Sequence, residues 1–134
     1  MKIILDTNVL LVCISKKSSL HWIWQSLRAQ KFTLCVTTDI LIEYEEIIGQ
    51  HMGIETAEFT LSTIDNLPNV ELATRWYRFL LLGDMDDNKF VDCAIATNAN
   101  FIVTHDKDFN ILKSIPFPTI PVIDTNEFKK LLDL

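Results

Sequence analysis

Glycine, proline and cysteine are all sparse in this chain of 134 residues, at three, four and three copies. The prolines gather late, at Pro116, Pro118 and Pro121, with Pro68 alone before them. There is no low-complexity segment, no repeat and no linker, so one domain over residues 1–134 is expected. Cys13, Cys35 and Cys93 are scattered, each inside an apolar run, and no CxxC pair exists. That pattern argues against a zinc site and points to reduced thiols in the core. Long hydrophobic runs are missing too. Ile3–Leu5, Val9–Ile14 and Phe79–Leu82 are the longest, far below the ~20 residues that span a bilayer. Asp6 interrupts the first run, which excludes a secretory signal there. A cytoplasmic protein without a membrane segment is expected.

Basic residues are outnumbered, 12 against 18 acids, for a net charge of −6. A protein that held nucleic acid by phosphate contacts alone would be more basic. The balance suits a site where acids gather around cations. What the chain has in plenty is apolar residues, 49% of the total, enough for a buried core.

Their pattern alternates short strands with helices. Lys2–Leu5 reads as a buried strand, followed by a turn and a helix from about Val9. Ser18 or Ser19 would cap a second helix to Gln30. Phe32–Val36 reads as a strand. Thr37, Thr38 or Asp39 would then cap a helix to Ile48, ended by Gly49. Glu55–Asn66 and Asp87–Asn98 read as helices, Phe101–Thr104 and Ile120–Ile123 as strands. A short helix is expected near Phe109–Lys113, and a last one over Glu127–Leu132, capped by Thr125. Val70–Leu82 is ambiguous between strand and helix. The alternation implies an α/β fold: a three-layer α/β/α sandwich around a mainly parallel sheet.

In such sheets ligands bind beyond the carboxyl ends of the strands. Asp6 and Asp106 both stand there. Either one alone is more often a helix cap than a catalyst; two in one small sheet shift the balance. Asp87 opens a helix on the face that carries Phe90, Val91 and Ala94, so it points to the sheet edge. Asp92 lies about 140° round from Asp87, on the flank, where it can at most support the site. Asp84 and Asp86 read as solvated or capping. A fourth acid comes from the Asp39–Ile48 helix. Glu46 points away from its apolar stripe, and periodicity does not choose between Glu43 and Glu45. Glu43 is nearer the helix start and is preferred. Four carboxylates about 5 Å apart repel by roughly 3 kcal/mol per pair at an effective dielectric near 20. No Lys or Arg nearby in sequence is read as compensating. A divalent cation or raised pKa values would relieve the repulsion, and all-oxygen ligands select Mg²⁺ or Mn²⁺.

"LDTNVL" (Leu5–Leu10) resembles the opening motif of PIN domains. "DDNKFVDCAIATNANFIVTHDKDF" (Asp86–Phe109) resembles their third and fourth motifs, especially those of toxin components of toxin–antitoxin pairs (VapC-like). "TTDILIEYEEI" (Thr37–Ile47) matches the second acidic motif more loosely, and "IPVIDTNEF" (Ile120–Phe128) the closing strand and helix. The resemblance implies Mg²⁺- or Mn²⁺-dependent hydrolysis of RNA phosphodiesters, an antitoxin partner and, as in many relatives, a homodimer. It carries the four acids onto Asp6, Glu43, Asp87 and Asp106. Asn8 and Thr104 fall at supporting polar positions. His105 and Met85 depart from the family's usual small residue and proline, and neither removes an acid.

Two other classes compete. A non-catalytic metal-binding or protein-interaction module would use Trp22, Trp24, Trp76, Tyr77 or Phe79 as interface anchors, although core packing is expected for most of them. A phosphatase would need a second aspartate that "DTN" lacks. His105, beside Asp106, is placed to meet substrate; His21 and His51 lack partners in the pattern.

Overall fold

The computed structural model describes residues 1–134. Strand β1 (Lys2–Leu5) buries Ile3, Ile4 and Leu5 completely. A strand covered on both faces needs such a continuous apolar run. Parallel partners flank it: β2 (Thr33–Val36) on one side and β4 (Phe101–Val103) on the other. Beyond them lie β3 (Val70–Leu72) and β5 (Val122–Ile123), giving the order β3-β2-β1-β4-β5 with every pairing parallel. The register sets Leu5 opposite Val103, so β1 and β4 end at the same level.

Six α-helices flank the sheet: α1 (Thr7–Cys13), α2 (His21–Arg28), α3 (Thr38–Met52), α4 (Ile54–Asn66), α5 (Asn88–Thr97) and α6 (Thr125–Leu131). A 3₁₀ helix spans Lys107–Ser114. The α/β/α sandwich expected from the pattern is the observed architecture, and one core of 32 buried apolar residues runs through it. No helix is long and apolar enough to cross a membrane. The three cysteines are free and buried in that core.

Five local expectations change. The N-cap of α2 is Leu20 and carries no side-chain capping bond, so neither Ser18 nor Ser19 caps that helix. Gly49 does not end α3, which continues to Met52; Gly53, at φ +93°, ends it. A Cβ on Gly49 would meet Ala57 Cβ at 3.8 Å, so the residue faces α4, and Gly53 takes the backbone angle that stops helices. Asp124, not Thr125, caps α6, in a reciprocal capping box with Glu127. Residues 70–82 resolve into the short β3 followed by a segment without regular structure. Of the five aromatics considered as interface anchors, Trp24 is core and Trp22 is half-buried, with its ring centroid 5.7 Å from that of Phe128. Trp76, Tyr77 and Phe79 are exposed, by 80%, 73% and 40%. They sit beyond the edge strand β3, where no layer covers them.

Candidate active site

The chain moves outward from β1 in both directions, through β2 and β3 on one side and to β4 and β5 on the other. Where such an order reverses, the loops leaving neighbouring strands part and open a crevice at their carboxyl ends. Here that crevice lies between β1 and β4. Asp6 leaves one strand, and Thr104–Asp106 leave the other.

Asp6 is 7% exposed. Its amide continues the ladder by donating to Val103 O at 3.1 Å. It occupies the N-cap position of α1, yet its side chain makes no capping bond. Instead Thr104 Oγ1 donates to Asp6 Oδ2 at 2.7 Å, and the same hydroxyl accepts the Asp106 N–H at 3.0 Å. One threonine therefore fixes both strand-end acids. Asp106 does cap: its Oδ1 accepts Asp108 N–H at 2.9 Å at the head of the 3₁₀ helix.

Asp87, like Asp6, holds an N-cap position, that of α5, without a capping bond. Its neighbour Asn88 is fully buried and closes the preceding loop. Asn88 Oδ1 accepts Leu82 N–H at 2.9 Å and its amide donates to Leu82 O at 3.1 Å. That bridge sets where Asp87 emerges. Carboxylate oxygens of Asp87, Asp106 and Asp108 lie within 4.8 Å of one another, close enough to share one cation.

Glu43 comes from α3. The adjacent Tyr44 is fully buried and its hydroxyl donates to Leu5 O at 2.6 Å, pinning α3 to the end of β1. Glu43 accepts a hydrogen bond from Thr7 Oγ1 and pairs with Lys89 Nζ at 2.7 Å. Glu45 faces elsewhere, into an open groove of about 530 Å³ between α3 and α4. That groove is the largest concavity of the molecule. Its titratable lining is two exposed glutamates, Glu45 and Glu46, whereas the strand-end acids open into a smaller crevice of about 330 Å³. Asp6 and Asp106 line that crevice with Asn8 and His105. Asn8 is exposed and contributes to the wall. His105 Nε2 sits 3.0 Å from Thr125 Oγ1 on the rim. His21 and His51 bond to backbone carbonyls of Cys13 and Ile47 instead.

The electrostatics follow from this crowding. Burial pushes the Asp6 carboxyl above its ordinary value, the Thr104 hydrogen bond pulls it back, and Asp106 and Glu43 push it up again. Asp87 is pushed up to about 7, first by burial and then by Asp84, Asp6, Asp106 and Glu43. Burial and the neighbouring acids thus disfavour the charged form of both carboxyls. Lys89 offsets part of the charge at Glu43, contrary to the sequence reading that no cation compensates. It lies two residues past Asp87, in the first turn of α5.

Asp92 also differs from its expected role. It is buried, and both of its oxygens are engaged away from the acids. Oδ2 accepts Arg75 Nε at 2.7 Å and Oδ1 accepts Phe79 N–H at 3.1 Å. Helix α5 is covered on this flank by residues 73–81, so the flank is interior. Asp108, Asn88 and Thr7 join the site without having been expected from the sequence. "HDKDF" and "DDNK" display the first two, but their convergence depends on how the loops turn.

The donor set is entirely oxygen, mutually repulsive and partly withheld from water, which fits a hard divalent cation. Its frame is a parallel sheet with acids at the point where strand order reverses. The chain belongs to the PIN domain family, whose model, described as "PIN domain", matches residues 2–108. No curated protein matches the sequence. Solved structures share the fold. VapBC2 from Rickettsia felis, bound to a promoter DNA fragment, superposes with a TM-score of 0.65 at 19% identity, covering 92% of this chain and 98% of that one. VapC20 from Mycobacterium tuberculosis, named as a toxin cleaving the sarcin–ricin loop, gives 0.57 at 13% identity, with 81% and 92% covered. The PIN domain endonuclease Utp24 gives 0.56 at 18% identity, with 92% and 84% covered.

Proposed function

We propose that this chain is an Mg²⁺- or Mn²⁺-dependent endoribonuclease and the toxin half of a toxin–antitoxin pair. One observation carries the catalytic part. Asp6 and Asp87 hold N-cap positions but spend neither carboxylate on capping, and Asp87 is pushed up to about 7 by burial and by the other acids. An arrangement that leaves two acids uncapped and repelling is maintained for a ligand of opposite charge. The antitoxin part is supported by the likeness of the fold to VapBC2.

Asp87 and Asp106 would hold the cation, with Asp108 within reach of the same ion, and Asp6 and Glu43, which both act on the charge of Asp87, would complete the acidic set around it. A bound Mg²⁺ or Mn²⁺ supplies Lewis acidity toward a phosphoryl oxygen and lowers the pKa of water. Thr104 orients Asp6, and Thr7 orients Glu43, through the hydroxyl donors described above. Lys89 places a positive charge beside Glu43, where it can meet a phosphate oxygen. The open crevice admits a polymer rather than enclosing a small molecule.

The test is cleavage of a mixed RNA pool by wild type and Asp6→Asn, each with Mn²⁺, Mg²⁺ or EDTA. Metal-dependent cleavage by wild type, lost in the variant, is expected. Cleavage that survives EDTA, or persists undiminished in Asp6→Asn, overturns the assignment. Folded, metal-loaded protein that cleaves nothing favours the non-catalytic binding module, whose observation in favour is the exposed aromatic segment beyond β3.

A further inference from the structure

We infer that Trp76, Tyr77 and Arg78 form a stacking platform for single-stranded RNA beside the acid crevice. The inference deepens the RNA-directed reading above and rests on it.

The segment after β3 reads Arg75-Trp76-Tyr77-Arg78-Phe79, aromatic rings interleaved with guanidinium groups. It is exposed but held. Arg75 is clamped by Asp92 at 2.6 Å, and by Asp39 at 3.2 Å. Four residues later, Phe79 N–H is tied to the other oxygen of Asp92. The buried Asp92 carboxylate therefore grips the chain on both sides of Trp76–Arg78. Between those two anchors Trp76 is 80% exposed and Tyr77 73%. A surface already ordered loses little entropy on binding.

Position ties the segment to the acids. It leaves the carboxyl end of β3, on the same edge of the sheet as Asp6 and Asp106. Two adjoining hollows lead from the segment toward Glu43. Arg75 and Arg78 line one shallow hollow with Asp39; Asp39 and Arg75 line the next with Lys89. Lys89 in turn pairs with Glu43. Arg78 is exposed and pairs with no acid, which leaves its charge for a phosphate.

Exposed rings beside a free cation suit unpaired bases. Every base has a face that stacks on an aromatic ring, while bases inside a duplex are hidden from it. A protein partner is the competing occupant, and the experiment separates the two.

Fluorescence anisotropy of a labelled 12-nucleotide RNA of mixed sequence, in Mg²⁺, reads the binding. Every protein carries Asp6→Asn, and RNA integrity is checked on a gel. Trp76→Ala/Tyr77→Ala should weaken binding roughly tenfold or more, the scale of lost base stacking. Arg78→Ala should weaken it less and flatten the salt dependence by about one phosphate contact. A duplex of the same sequence should bind more weakly than the single strand. Unchanged binding by Trp76→Ala/Tyr77→Ala overturns the platform, as does tighter binding of the duplex. So does an absence of RNA binding by the Asp6→Asn parent; a self-association lost on Trp76→Ala/Tyr77→Ala in sedimentation would then assign the rings to a protein contact. Cleavage by protein with Asp6 intact reports on the nuclease separately. Cleavage with no platform effect removes only this inference, and a platform effect without cleavage removes only the nuclease.

Discussion

The hydroxyl of Thr104 joins β4 to β1 by donating to Asp6 Oδ2 at 2.7 Å while accepting the Asp106 N–H at 3.0 Å. It therefore sets the distance and angle between two acids on different strands. Thr104→Val keeps the shape and removes the bond. Groups that orient a metal ligand typically contribute 10- to 100-fold to metal affinity or activity, so a loss of about that size is expected. Calorimetric titration with Mn²⁺, alongside RNA cleavage, measures both.

Asp6→Asn should abolish cleavage and stabilise the metal-free protein. Burial and the neighbouring Asp106 and Glu43 all disfavour the charge that the substitution deletes. Adding Mg²⁺ should reverse the order, because only a protein that binds the ion gains stability from it. Thermal melts of both proteins, with Mg²⁺ and with EDTA, test this. A variant less stable than wild type in EDTA would mean that Asp6 is a structural anchor.

Asp87 should give the metal-free protein a pH dependence of definite sign. Its carboxyl is raised from 3.8 to about 7, so between those values the native state holds a proton that the unfolded state has released. Stability is then greatest on the acid side and falls as pH rises through about 7. Asp87→Asn should flatten that fall. With the group only partly buried, solvent screening reduces the effect, and a rise in Tm of about 3–6 °C over wild type at pH 8 is a reasonable scale. The difference should vanish toward pH 4.

Lys89→Met should separate metal binding from turnover. Removing the cation at 2.7 Å from Glu43 makes the crevice more negative, so Mn²⁺ should bind several-fold more tightly. Cleavage should nevertheless fall about tenfold or more, since a charge facing the phosphate is gone. Equal changes in affinity and rate would reduce Lys89 to a surface pairing.

Arg75 and Asp92 should behave as a coupled pair. Arg75→Met leaves a buried carboxylate without its counter-ion, which costs about 3–5 kcal/mol in comparable pairs. The double variant Arg75→Met/Asp92→Leu should recover most of that loss, as both charges leave together. Urea unfolding of the four proteins completes the cycle.

The strands and most helices were legible because their signal is local. Ile3–Leu5 and Phe101–Val103 are apolar runs that demand burial on both faces, and α5 carries its own periodicity. The misreadings came from packing. Gly49 looks like a helix stop until α4 is seen resting against it, and Asp92 looks like a flank residue until residues 73–81 close over it.

From sequence alone came the α/β alternation, the strand-end positions of Asp6 and Asp106, and the family resemblance, since all three depend on residues close together in the chain. The strand order, which brings Asp6 beside Thr104 across 98 positions, belongs to the tertiary structure. So do the selection of Glu43 over Glu45 as the residue that meets Thr7 and Lys89, the entry of Asp108 into the cluster, and the exposure of Trp76 and Tyr77. Those features arise from how the sheet is assembled and which faces it leaves uncovered, and no stretch of chain carries that information until distant segments pack.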